Sequence, residues 1–143
     1  MKLTIELVPE TSWYTNVRSE VSKDVWTAIK QKTRARAGDR CEICGGVGPK
    51  WPVECHEVWA YDDIEHVQKL VGFIALCPDC HQVKHIGFAT TQGKLEEAIE
   101  HFKRVNELDS AREYLIEVWN KWEERNLYKW KLDLRFIKEY LSE

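Results

Sequence analysis

Four of the five cysteines stand in two C-x-x-C pairs, Cys41–Cys44 and Cys77–Cys80, with 32 residues between the pairs. Zinc binds four thiolates tetrahedrally, and a C-x-x-C turn brings two sulfurs onto one ion. The first pair lies in CEICGGVG, whose glycines allow a tight turn. The second opens a predicted helix, where positions i and i+3 share a face. The N-terminus, MKLTIELVPE, has no apolar signal core, so a cytoplasmic setting with reduced thiols and metal ligation is expected, not disulfides. A structural Zn2+ on Cys41, Cys44, Cys77 and Cys80 would clip the chain and supply folding energy without itself giving activity.

A second polar group surrounds that clip: Cys55-His56, then His81 and His85. Two helical histidines four apart lie about 6 Å from each other at Cβ, which suits two imidazoles on one divalent ion. His81 follows Cys80 by one residue, about 100° further round a helix. One helix can therefore send its cysteines to zinc and its histidines elsewhere.

The elements that must position these residues follow from hydrophobic spacing. Residues 2–8 alternate apolar and polar and predict a half-buried strand ended by Pro9. Ser22 as N-cap, a Val21–Trp26 staple and Gly38 as stop predict a helix over 22–37. Residues 51–59 and 70–76 read as strands, and Pro78 opens a helix to about residue 86. Leu95, Ala98, Ile99, Phe102 and Val105 form one helical stripe. Ser110 and Glu113 spell a capping box for a second helix. Residues 128–134 alternate as a strand before a short terminal helix, and the two terminal strands are expected to pair with each other. The fold class is thus α+β in a single domain, 1–143: an N-terminal strand and helix (1–40), a zinc-braced core (41–90) and a C-terminal helical extension with its strand (91–143).

The stretches CEICGG, WPVECHEVW and ALCPDCHQVKHIG resemble the HNH nuclease family over residues 41–88, about a third of the chain. The resemblance implies a ββα-metal core braced by the two C-x-x-C pairs. It implies a metal-dependent endonuclease on DNA, leaving 5′-phosphate and 3′-hydroxyl ends. His56 would be the general base, and His81 and His85 would be ligands of a catalytic Mg2+, Mn2+, Ni2+ or Zn2+. Cys55 takes the position before the base, which is often a further ligand. It stands where Asp or His is usual, so Glu54 and Glu57 remain alternatives for reaching the metal. Gly72 stands at the family's central asparagine, with His66, Asp62 and Asp63 as out-of-register substitutes.

The chemistry agrees with those residue types. A neutral histidine near pKa 6.5 can take a proton from water, and a divalent ion can stabilise charge on phosphoryl oxygens. Charge limits how DNA would be held. The formal net charge is -3, which excludes a generally basic nucleic-acid binder. Residues 1–50 carry +3, whereas residues 51–93, with the histidines, carry -4. The cluster Lys30, Lys32, Arg34, Arg36 and Arg40 before the zinc turn, the three arginines above all, is therefore the candidate for backbone contact, with Lys84 between the histidines. No apolar run reaches the roughly 18 residues of a membrane span. The seven tryptophans read as core, with base stacking as the alternative for any that proves exposed. The competing function is a non-catalytic, zinc-stabilised module on the same fold, binding nucleic acid or protein. Oligomeric state is not encoded in any of these patterns.

Overall fold

A computed structural model describes all 143 residues, an α+β arrangement of seven helices and a three-stranded sheet. Its centre is an antiparallel hairpin of β1 (Glu54–Asp62) and β2 (Val67–Leu76). Strand alternation sends neighbouring side chains to opposite faces. His56 pairs with Ile74 on one face, and Glu57 with Phe73 on the other. The register shifts after Val58, leaving Val71 unpaired as a bulge. A short β3 (Lys131–Asp133) joins parallel to β2, giving the order β1-β2-β3 and leaving one edge of β1 free.

Each face carries its own core. On one, α1 (Val17–Glu20), α2 (Lys23–Arg36) and α7 (Phe136–Ser142) bury Val17, Ile29, Leu70, Phe73 and Tyr140. On the other, α3 (Pro78–Lys84), α4 (Ile86–Thr91) and α5 (Leu95–Asn106) enclose Leu76, Val83, Ile86 and Phe102. Tyr114 and Trp119 of α6 (Arg112–Arg125) pack against that second core. No helix is long and apolar enough to cross a membrane.

α2 forms where its end signals place it. Ser22 Oγ accepts the Val25 N–H at 3.2 Å. At the other end Gly38, at φ +62°, donates to Ala35 O while Asp39 donates to Arg34 O. That pair of bonds is a Schellman stop, and the positive φ favours glycine.

Three expectations are corrected. Residues 2–8 form no strand. Asn106 Oδ1 accepts the N–H groups of Lys2 and Leu3, each at 2.9 Å, and Tyr114 Oη accepts that of Ile5 at 2.9 Å. Helical side chains thus replace a neighbouring strand, while Leu3 and Ile5 still reach the core. The two terminal segments do not pair as strands. Residues 131–133 pair with β2, and the N-terminal segment touches that region through Glu10 N–H to Asn126 Oδ1 and Thr11 Oγ1 to Tyr128 O. The capping box does not form. Ser110 Oγ accepts only the Arg112 N–H, at 3.3 Å, and α6 begins after Ala111 without a side-chain cap.

Candidate metal centre and cleft

The two C-x-x-C pairs meet. The sulfurs of Cys41, Cys44, Cys77 and Cys80 lie within 4.8 Å of one another, an arrangement that could hold one zinc ion. Both turns aim N–H groups at sulfur. Cys44 N–H points to Cys41 Sγ at 3.5 Å, and Gly46 N–H to Cys44 Sγ at 3.4 Å. Cys77 caps α3 by accepting the Cys80 N–H at 3.4 Å. These donors favour thiolate sulfur. Without a cation the four thiols cannot all ionise. The Cys80 thiol donates to Cys41, which draws Cys41 down to about 4 and holds Cys80 well above the usual thiol range. Burial first, then this crowding, pushes Cys77 up to about 11. A shared dication relieves that repulsion, which is why the donor set fits zinc.

His101 of α5 joins this site unannounced by the sequence motifs. Its Nε2 lies 3.2 Å from Cys80 Sγ. A signal existed: His101 lies three residues after Ala98 and beside Phe102, next to the apolar face of α5.

The histidines form a separate group. Ring nitrogens of His56, His81 and His85 lie within 4.8 Å of one another, close enough to hold a metal ion. The Nε2 atoms of His81 and His85 are 3.1 Å apart. The helix breaks at His85, with φ -104° and ψ 43°, yet its N–H still bonds His81 O and preserves the one-turn spacing. His81 Nδ1 lies 3.4 Å from Glu54 Oε1, so the carboxylate can orient that ring. Burial is the main force lowering all three imidazole pKa values. His56 falls to about 2, with His85 and His81 adding to the effect, and His85 falls to about 4. His81 also falls, opposed by Glu54. All three rings are therefore neutral at pH 7, the form in which imidazole can bind a metal ion.

Cys55 does not join them. One residue from His56, it faces the other side of the sheet, where its thiol donates to Thr33 Oγ1 at 3.6 Å. Burial pushes that thiol up to about 11, so it is protonated at neutral pH. Strand alternation rules out Cys55 and His56 serving one ion together. Glu57 shares the Cys55 face and accepts the Val17 N–H at 3.0 Å, away from the histidines. The three substitutes for the family's asparagine are also elsewhere. Asp62 caps the hairpin turn, Asp63 pairs with Arg125, and His66 stacks on Tyr128.

A cleft of about 660 Å³ opens from the histidines along residues 53–57 of the free β1 edge. Its other wall is cationic. Arg18, Lys30 and Arg34 line it, the last two one turn apart on α2. Of the basic cluster singled out from the sequence, Lys30 and Arg34 reach this wall, where Arg34 also pairs with Asp39. Arg36 lies on the core side of α2, donating to Phe73 O at 2.7 Å over the Tyr140 ring. Arg40 donates to Gly45 O and braces the first cysteine turn. Lys84 is held by Thr4 and Glu6, each at 3.0 Å, and so ties down the N-terminal segment. Arg36, Arg40 and Lys84 each direct a donor to the protein, and none of them lines the cleft.

No family model, curated protein or solved structure matches this chain.

Proposed function

We propose that this chain is a metal-dependent endonuclease of the HNH type, hydrolysing phosphodiester bonds in DNA, with β1, β2 and α3 as its ββα-metal core. One observation carries the reading: three neutral imidazoles converge at the head of a cleft whose facing wall is cationic. The donors suit Mn2+, Ni2+ or Zn2+ better than Mg2+, because imidazole is softer than carboxylate. When bound, such an ion stabilises charge on the phosphoryl and leaving oxygens and lowers the pKa of the attacking water.

The chain's own residues do the rest. Glu54 fixes the His81 ring so that Nε2 faces His85. Arg18 and Lys30 are free of carboxylate partners and can neutralise the phosphates on either side of the scissile bond. His56 is assigned to the ligand set beside His81 and His85, and not to proton transfer. An effective general base titrates near the working pH. Burial instead holds His56 at about 2. The base role that the family resemblance implies for His56 is the alternative assignment.

The test is plasmid cleavage with added Mn2+, Ni2+ or Mg2+, read beside metal content. Wild type is expected to nick DNA and to bind two ions per chain. His56→Ala is expected to bind one ion and lose cleavage. A His56→Ala protein that keeps both ions and loses only cleavage restores the base assignment. Absence of cleavage by wild type with every metal favours the non-catalytic zinc module. That second reading is supported by Gly72, Asp62, Asp63 and His66, none of which brings a side chain to the histidines.

A further inference from the structure

Two tryptophans are about half exposed, Trp13 at 51% and Trp51 at 49%. Trp13 has structural work to do. It stacks on Trp122 at 6.1 Å, and its indole N–H donates to Val8 O at 2.7 Å. Trp51 has neither an aromatic neighbour nor a hydrogen bond for its indole, and it lines the cleft beside the histidines.

Its backbone is nevertheless fixed. Gly48 N–H donates to Pro52 O at 3.0 Å, closing the turn that carries Trp51. A Cβ at Gly48 would stand 2.3 Å from Trp51 O and 2.7 Å from the Pro78 ring, so the turn is wedged against the start of α3. Pro78 adjoins Cys77 of the cysteine clip. A large apolar ring is therefore presented to solvent from a fixed stretch of backbone.

We propose that the cleft takes an unpaired stretch of nucleic acid, with Trp51 as the platform on which one base stacks. The inference deepens the nuclease reading, on which it rests for the fate of the strand but not for its binding. Three features point to an unpaired strand and away from a duplex. A duplex covers its base faces with neighbouring pairs, so an indole face gains nothing from it, whereas every unpaired base offers a π-face. The chain carries -3 overall, and four zinc-bound thiolates make it more negative, so phosphate attraction alone is weak. Stacking supplies affinity that does not depend on net charge. Finally, about 660 Å³ is the volume of a small-molecule site, which suits a nucleotide or two. Arg18 and Lys30 then hold the flanking phosphates and the histidines face the one between.

Fluorescence anisotropy tests this with the full zinc-loaded chain and no added divalent metal. The probes are a labelled 12-nucleotide single strand, as DNA and as RNA, and the DNA duplex of the same sequence. Wild type is expected to bind a single strand at least about tenfold tighter than the duplex, a margin within reach of one stacked base. Trp51→Leu, which keeps apolar bulk but removes the ring, is expected to weaken single-strand binding about tenfold, and Trp51→Phe to retain most of it. The DNA and RNA arms identify which strand is preferred. Thermal melts confirm that each variant folds, and Trp51→Gln, which also removes the ring, carries the comparison if the Leu variant does not. Equal binding of strand and duplex, no binding of either, or a Trp51→Leu protein that binds like wild type overturns the proposal. Cleavage separates this outcome from the nuclease reading. Trp51-dependent binding without cleavage under any metal sinks the nuclease reading alone. Cleavage without Trp51 dependence sinks the platform alone.

Discussion

The cysteine clip and the histidine group share α3, yet they are opposite kinds of site. α3 gives Cys77 and Cys80 from its first turn and His81 from the next position, with His85 at its C-terminal break. The cysteines come from two tight turns, three of the four are buried, and their sulfurs face inward with backbone N–H donors around them. All four ligand positions of a tetrahedral ion are filled by protein, the pattern of a structural site. The histidines number three and sit at the head of an open cleft, so an ion held by them would keep a position for something from solvent. Closed geometry stabilises a fold, whereas an open position is what chemistry on a ligand requires. One short helix separates the two tasks through a 100° step between Cys80 and His81.

The largest expected effect comes from breaking the closed side. Cys80→Ser leaves three thiolates around the ion. Structural zinc in small domains is worth about 10–16 kcal/mol of folding free energy, so this variant is expected to lose both zinc and cooperative unfolding. Metal analysis and circular dichroism check it. A folded, zinc-free Cys80→Ser protein would show that the clip is dispensable and remove the contrast.

Breaking the open side is expected to spare the fold. His81→Ala should keep the clip zinc and melt within about 4 °C of wild type, a change of about 1 kcal/mol for a chain of this size. It should lose the second ion and any cleavage. Glu54→Gln is a milder change at the same place. Losing an orienting carboxylate typically weakens metal affinity about 10- to 100-fold, which competition with a chromophoric chelator would measure. Unchanged affinity would show that Glu54 does not orient His81.

The two sides also differ towards acid. Burial lowers the folded pKa of His85 to about 4, below its unfolded value near 6.5. The unfolded chain then binds more protons within that window. Stability from this group is therefore complete above about pH 6.5 and is lost as pH falls towards about 4. Urea midpoints at pH 7 and pH 5 should fall further for wild type than for His85→Gln. An equal fall in both would remove His85 from the account.

The smallest effect sharpens the boundary of the histidine group. Cys55→Ala deletes a half-buried thiol that touches Thr33, at a cost of about 1 kcal/mol. Its metal count is expected to equal that of wild type. A lost ion would return Cys55 to the ligand set.

The same boundary shows where a sequence stops being legible. C-x-x-C spacing marked four ligands because a turn of that length fixes two sulfurs locally. The i, i+4 spacing of His81 and His85 was equally local. Cys55 and His56 could not be separated in that way. Both are ligand types, and only the direction of β1 relative to α3 decides that His56 faces the helix and Cys55 faces Thr33. The basic cluster behaved similarly. Helix periodicity puts Lys30 and Arg34 on one face of α2, but which face borders the cleft depended on Ile29 and Thr33 being buried against the sheet.

Local end signals carried through on α2, with Ser22 and Gly38, but not at Ser110 and Glu113, where no capping box forms. The N-terminal alternation was incomplete in another way. Alternation over residues 2–8 established Leu3 and Ile5 as inward-facing, but a period of two says nothing about what satisfies the backbone. Asn106 and Tyr114, a hundred residues away, took the place of a strand. By itself the sequence determined α2, a strand through His56, the helix that carries both cysteines and histidines, and the meeting of the two cysteine turns. Only the tertiary structure decided that His56 completes a group of three, that His101 approaches Cys80, and that Trp51 stands uncovered over the cleft. Each of those rests on contacts between elements far apart in the chain, and no local spacing encodes them.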